Sequence, residues 1–140
     1  MRIYQALFRY LQTVPDVVTI VADRVFDAHA DQGRVTKYPA IIIETMDDQP
    51  FHSIGRQIPT ATRRPVSLYC MAQGNPKASD DLADLVYTAI IGQEQAIADV
   101  SGLGVKSTHL NGRRNEYEDA LETDSKLYAT VLEFDFIHDI

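Results

Sequence analysis

The stretch KLYATVLEFDFI near the C-terminus constrains the fold more than any other. Tyr128, Leu132, Phe134 and Phe136 recur with Glu133 and Asp135 interleaved between them. A period of two sends alternate side chains to opposite sides, which defines a half-buried strand of the antiparallel type. The covered face of such a sheet needs helices. NPKASDDLADLVYTAIIGQ provides one, with Leu82, Leu85, Val86, Ala89 and Ile90 at i, i+3, i+4, i+7, i+8 spacing. Asn75 or Ser79 can cap its start and Gly92 can end it. IYQALFRYL provides a second, with Ile3, Ala6, Leu7, Tyr10 and Leu11 on one side, ending near Thr13. Pro15 then suits the first position of a short helical turn, with Asp16 near its positive end.

Four further segments read as strands: RVFDAHAD, YPAIIIETM with Pro39 at its start, PVSLYCMA and VKSTHL. The three consecutive isoleucines predict burial on both faces. The order helix, strand, strand, strand, helix, strand, strand predicts an α+β fold over residues 1–140 as a single domain. Its sheet is mixed and mainly antiparallel, of about five strands covered by two main helices, with a long loop at about 47–63. A chain of 140 residues, 45% hydrophobic, holds one core and needs no staple.

The net charge of -7 opposes general adhesion to nucleic acid or anionic membranes. One cysteine, Cys70, excludes an intrachain disulfide and reads as a small buried hydrophobe in a strand. The arginine-bearing N-terminus and the absence of a long uncharged run lead to the expectation of a soluble protein without targeting signals.

Charge is distributed unevenly. Residues 49–79 carry Arg56, Arg63, Arg64 and Lys77 and no acid, and the first three lie in HSIGRQIPTATRR, 52–64, which reads as a functional loop. NEYEDALETD, 115–124, carries five acids and no base, including Glu116, Glu118, Asp119 and Glu122, and reads as an acidic loop between two strands. Arginine forks bind carboxylates, so the two loops form a candidate interface between copies of the chain.

Candidates for chemistry are few. Asp27, His29 and Asp31 would share one side of a strand and could face a divalent metal, or they are a solvated strand edge. Asp80, Asp81 and Asp84 fit the acidic preference of a first helical turn. GLG at 102–104 lacks the third glycine and the strand-to-helix context of a dinucleotide loop, and reads as a turn. No pattern for a hydrolase, metalloprotease, nucleotide-binding loop or dithiol accompanies His52, His109 and His138. No catalytic, metal-binding or cofactor-binding residue is assigned, and the chain is read as a non-enzyme.

The layout resembles the tail terminator and tail completion proteins of long-tailed bacteriophages over nearly the whole chain. The features that carry the resemblance are IYQALFRYL, YPAIII, RRPVSLYCMAQGNPKASDDLADLVYTAI and NGRRNEYEDALETDSKLYATVLEFDF. Many relatives have a shorter connection where this sequence has its arginine-bearing one. The resemblance implies a homo-hexameric ring that caps the tail tube, stops its polymerisation and offers a surface for head attachment. It places the protein at the head-proximal end of the virion tail, and in the host cytoplasm during assembly. The implied partners are other copies of the chain, the tail tube protein and a head-completion or connector protein. No membrane and no specific nucleic acid is implied, apart from genome DNA passing through the ring. A head-side connector, or a tail completion protein of the neck, fits the same patterning. The reading from another class is a small metal-dependent enzyme centred on Asp27, His29 and Asp31.

Overall fold

The computed structural model describes residues 2–31, 35, 37–51, 61–118 and 126–139. Their elements are α1 (Ile3–Leu11), α2 (Pro15–Val21), β1 (Val25–Asp27), β2 (Ala40–Thr45), β3 (Gln49–Phe51), β4 (Ala61–Gln73), α3 (Pro76–Ile90), α4 (Glu94–Ser101), β5 (Val105–Glu118) and β6 (Leu127–Asp139). This is the expected α+β class with a mixed sheet, but with six strands and four helices in place of about five and two. The strand order is β1-β2-β4-β6-β5, with β3 also paired to β4. Only the β1–β2 pair is parallel.

The centre of the sheet is the pair β4–β6, in one unbroken antiparallel register from Ala61 opposite Asp139 to Gln73 opposite Leu127. That register puts Val66, Leu68 and Cys70 on the same side as Leu132, Phe134 and Phe136. Ile41 and Ile43 extend the side across β2. All eight are buried in one cluster with Leu7 and Leu11 of α1, Leu82, Val86 and Ile90 of α3, and Ile97 of α4. The helices therefore pack against a single face of the sheet.

Local chemistry explains the helices. Asn75 caps α3 by accepting the Lys77 N–H at 2.9 Å, and Pro76 occupies the first turn, where a missing N–H costs nothing. The Tyr10 hydroxyl donates to the Ala89 carbonyl near the end of α3, one of the last-turn carbonyls without a helical partner, and so ties α1 to α3. Arg24 donates to Ile20 O at 2.9 Å and Pro39 O at 2.8 Å, linking the end of α2 to the entry of β2. Helix α4 escapes the sequence pattern because its eight residues bury only Ile97 and Ser101. It ends at Gly102, whose φ of 80 is left-handed.

The strand count differs because of a proline. Thr45 lies opposite Val66 and Gln49 opposite Arg63, so four steps on one side face three on the other, a β-bulge. Met46 N–H donates to Pro65 O at 3.0 Å, and Pro65 has no N–H to return. The missing bond falls on the β2–β3 side, so pairing of β4 with β6 continues past Pro65. Ala61 to Arg64 are therefore strand residues, not the end of a long loop, and Gln49–Phe51 is a strand too. Residues 52–60 lie outside the described set. No helix among the described residues is long and apolar enough to cross a membrane.

Leu85 departs from the expected stripe. The buried face of α3 runs through Ser79, Leu82, Ala83, Val86, Ala89 and Ile90, which leaves Leu85 half-buried on its flank. Leu82→Ala should cost about 2–5 kcal/mol in chemical denaturation, and Leu85→Ala about 1 kcal/mol. Equal losses would mean that α3 is rotated on the sheet.

Candidate functional site

The second face of the sheet is built by the alternate residues of the same strands. One row runs Phe26, Ile42, Tyr69, Val131, Arg114 across β1, β2, β4, β6 and β5. The next runs Ala40, Met71, Ala129, Glu116, and on the other side lies Glu44, Ser67, Glu133, Gly112. Ala40, Ala129 and Val131 are buried yet lie outside the helix-covered core cluster. Ile42, Tyr69 and Met71 are half-buried, so of the three isoleucines only Ile41 and Ile43 enter the helix-side core.

Over these rows lies a cleft of about 670 Å³. Its floor is Phe26, Ile42, Tyr69 and Met71, and its far wall is Val35 and Tyr38, from the connection that β1 needs to reach its parallel neighbour β2. Asp27, Asp31, Glu44 and Glu116 place four carboxylates around this apolar floor. Arg114 donates to Glu116 Oε1 at 2.9 Å and pairs with Glu133. Burial, and then the charge of Glu44, raises the pKa of the Tyr69 phenol, while Arg114 opposes the rise. The arrangement suits recognition: an apolar floor with fixed charged groups at its rim.

The residues singled out in the sequence fall elsewhere. Arg63, in β4, donates to Asp135 Oδ2 at 2.6 Å and to Gln49 Oε1 at 3.1 Å. Arg64 donates to Met46 O at 2.8 Å and pairs with Asp48 at 3.3 Å. Both are thus engaged within the subunit. Glu116 and Glu118 belong to β5 and not to a loop, because β5 continues through a bulge at Asn111 for eight residues beyond Leu110. Arg56, Asp119 and Glu122 lie outside the described residues.

The strand expected over 24–31 stops at Asp27. The chain then turns: Asp27 Oδ1 accepts His29 N–H and Asp31 Oδ2 accepts Asp27 N–H, each at 2.9 Å. A turn breaks the period of two, so Asp27, His29 and Asp31 do not form a row. Among the described residues no group of three or more His, Cys, Asp or Glu side chains is placed to hold one metal ion. The acids expected in a first helical turn fall beyond it, since α3 begins at Pro76 and its first turn carries no acid, and Asp80 and Asp84 have a partner in the sheet instead. Arg113 of β5 reaches both, with Asp84 at 2.6 Å and Asp80 at 3.6 Å.

Cys70 is fully enclosed, and burial pushes its thiol from an ordinary 9.0 up to about 12. Below pH 9 the thiol is neutral in both folded and unfolded chains. Between about pH 9 and 12 only the unfolded chain ionises, so this contribution to stability declines across that window. Native protein should therefore leave Cys70 unmodified by a thiol reagent at pH 8, and Cys70→Val should flatten the alkaline loss of stability. Rapid native labelling would contradict the burial.

Asp135 carries a second expectation. Its side chain is 10% exposed, and its Oδ1 is buried without a hydrogen-bond partner. Arg63 supplies one of the two hydrogen bonds to Asp135 Oδ2, the Asn111 amide the other, so Arg63→Ser should destabilise the fold by about 1–3 kcal/mol. An unchanged melting temperature would show that the pair is dispensable.

A scan against protein-family models finds no match to this chain, and a search among curated proteins finds none either.

Proposed function

We propose that this chain is a tail-terminator subunit of a long-tailed bacteriophage, forming a homo-hexameric ring that caps the tail tube, halts its polymerisation and presents a surface to the head-side connector. The observation that carries this reading is the two-sidedness of the sheet. One face builds the whole core, and the other presents an apolar cleft of about 670 Å³ edged by Asp27, Asp31, Glu44 and Glu116. A single subunit gains nothing by half-burying Ile42, Tyr69 and Met71 beneath an open cleft. A neighbouring subunit or the tube, seated there, completes their burial.

Neighbours in a polar ring meet through two unlike patches, and the cleft is one of them. Arg63 and Arg64 are weaker choices for the other, since their guanidinium groups are already occupied by Asp135, Asp48, Gln49 and Met46. The contact is therefore assigned chiefly to apolar burial rather than to pairing between loops of opposite charge.

Ile42 lies in the floor of the cleft, away from the core cluster. Ile42→Asp should keep the subunit folded by circular dichroism and lose the ring in light scattering. Tubes assembled with this variant should grow overlong in electron micrographs, while wild type holds them to a fixed length. Wild-type protein that neither forms rings nor limits tube length would overturn the reading. Binding to a connector without effect on tubes would move the protein to the neck.

A further inference from the structure

The outer edge of β5 points to a contact that does not rest on the ring reading. Strand β5 ends the sheet, and among the described residues no strand pairs with its far side. From Gly112 to Glu118 its pairing with β6 is regular, with the bulges confined to the stretch before it. A regular edge of this length offers unpaired backbone groups to another strand.

The ladder decides which groups those are. Asp139 N–H donates to Gly104 O at 2.8 Å, so the odd-numbered residues of β6 direct their backbone toward β5. Ala129, Val131 and Glu133 lie opposite Glu116, Arg114 and Gly112, which therefore bond inward. The N–H and C=O groups of Arg113, Asn115 and Tyr117 face out.

We infer that two copies of this chain pair antiparallel along these β5 edges, with Asn115 opposite Asn115 across a two-fold axis. In that register Arg114 of each copy lies opposite Glu116 of the other, on the cleft side of the sheet. Arg114 also holds Glu116 and Glu133 of its own subunit, so the contact joins two existing pairs into one network of alternating charge. On the helix side Arg113 lies opposite Tyr117, a residue 69% exposed whose ring has Lys126 Nζ of its own subunit 5.6 Å from the centroid. Shifting the pairing so that Arg114 meets Arg114 sets like charges opposite each other, which cross-strand pairing disfavours. The segment RRNEY is thus complementary to itself in one register. Charged residues on an edge ordinarily deter pairing; here their order admits one partner, a second copy. A two-fold contact has no place within a polar ring. It belongs to the subunit before assembly, and covers an edge with which no strand among the described residues pairs.

Charge exchange tests this. Arg114→Glu alone and Glu116→Arg alone each oppose like charges in the homodimer, and each should weaken dimerisation about tenfold or more in sedimentation. Mixed in equal amounts, the two variants again set opposite charges against each other at both cross-strand positions, and native mass spectrometry should show the heterodimer. Pairing within one subunit cannot produce that rescue. Asn115→Pro removes one outward N–H and leaves the backbone ladder to β6 intact, losing only the Thr130 hydroxyl's bond to the Asn115 amide, and should abolish the dimer while circular dichroism shows a folded subunit. A wild type that stays monomeric at every concentration, a mixture that fails to form the heterodimer, or an oligomer indifferent to Asn115→Pro would each overturn the pairing. Ile42→Asp, which tests the ring, should leave this dimer in place.

Discussion

The antiparallel ladder between β4 and β6 is the constraint on which the rest depends. Its thirteen pairs run from Ala61–Asp139 to Gln73–Leu127 without a slip. Because side chains alternate, moving that register by one residue would exchange the faces and send Leu132, Phe134 and Phe136 away from the helices. Within this frame Leu68 and Cys70 meet α3, and Tyr69 and Met71 form the floor of the cleft. The ladder survives Pro65 because the bond that proline cannot make is directed toward β2 and β3, where the bulge absorbs the loss.

The two faces are stabilised differently. The helix side is a continuous apolar cluster with Phe134 and Phe136 at its centre. The other side combines apolar rows with ion pairs: Glu116–Arg114–Glu133 toward β5 and Arg63–Asp135 toward β3. Exposed pairs of this kind contribute little stability, and their value lies in fixing side-chain geometry on a surface. Asp135 is the exception, since it is largely withdrawn from water and takes both Arg63 and the Asn111 amide. The bulge that puts Asn111 out of register is thus held to the neighbouring strand.

The same sheet explains how the proposed contacts can coexist. The cleft lies on a face, whereas the outward backbone groups of Arg113, Asn115 and Tyr117 lie on an edge. Occupation of one does not remove the backbone partners of the other. Arg114 is the shared element, because it contacts Glu116 and Glu133 beside the cleft and stands on the edge strand. A partner in the cleft and a copy at the edge would therefore be sensed by the same guanidinium.

The sequence by itself determined the elements whose side chains repeat with a clear period. Ile3, Ala6, Leu7, Tyr10 and Leu11 specify α1, and Leu132, Phe134 and Phe136 specify β6 and its covered face, because burial of one side selects a period. Cys70 was legible as a core residue for the same reason. Short or charged elements carry no such signal: α4 buries too few residues, and the second half of β5, RRNEYE, looks like a solvated loop. Of the site, the arginines and acids were visible as charge but not as pairs. Arg63 meets Asp135, 72 positions away, and Arg113 meets Asp84, 29 positions away, and only the folded sheet sets those distances. The cleft likewise has no signature in the chain. It arises where residues of five strands and the β1–β2 connection converge, and strand order and register, which decide that convergence, are properties of the tertiary structure.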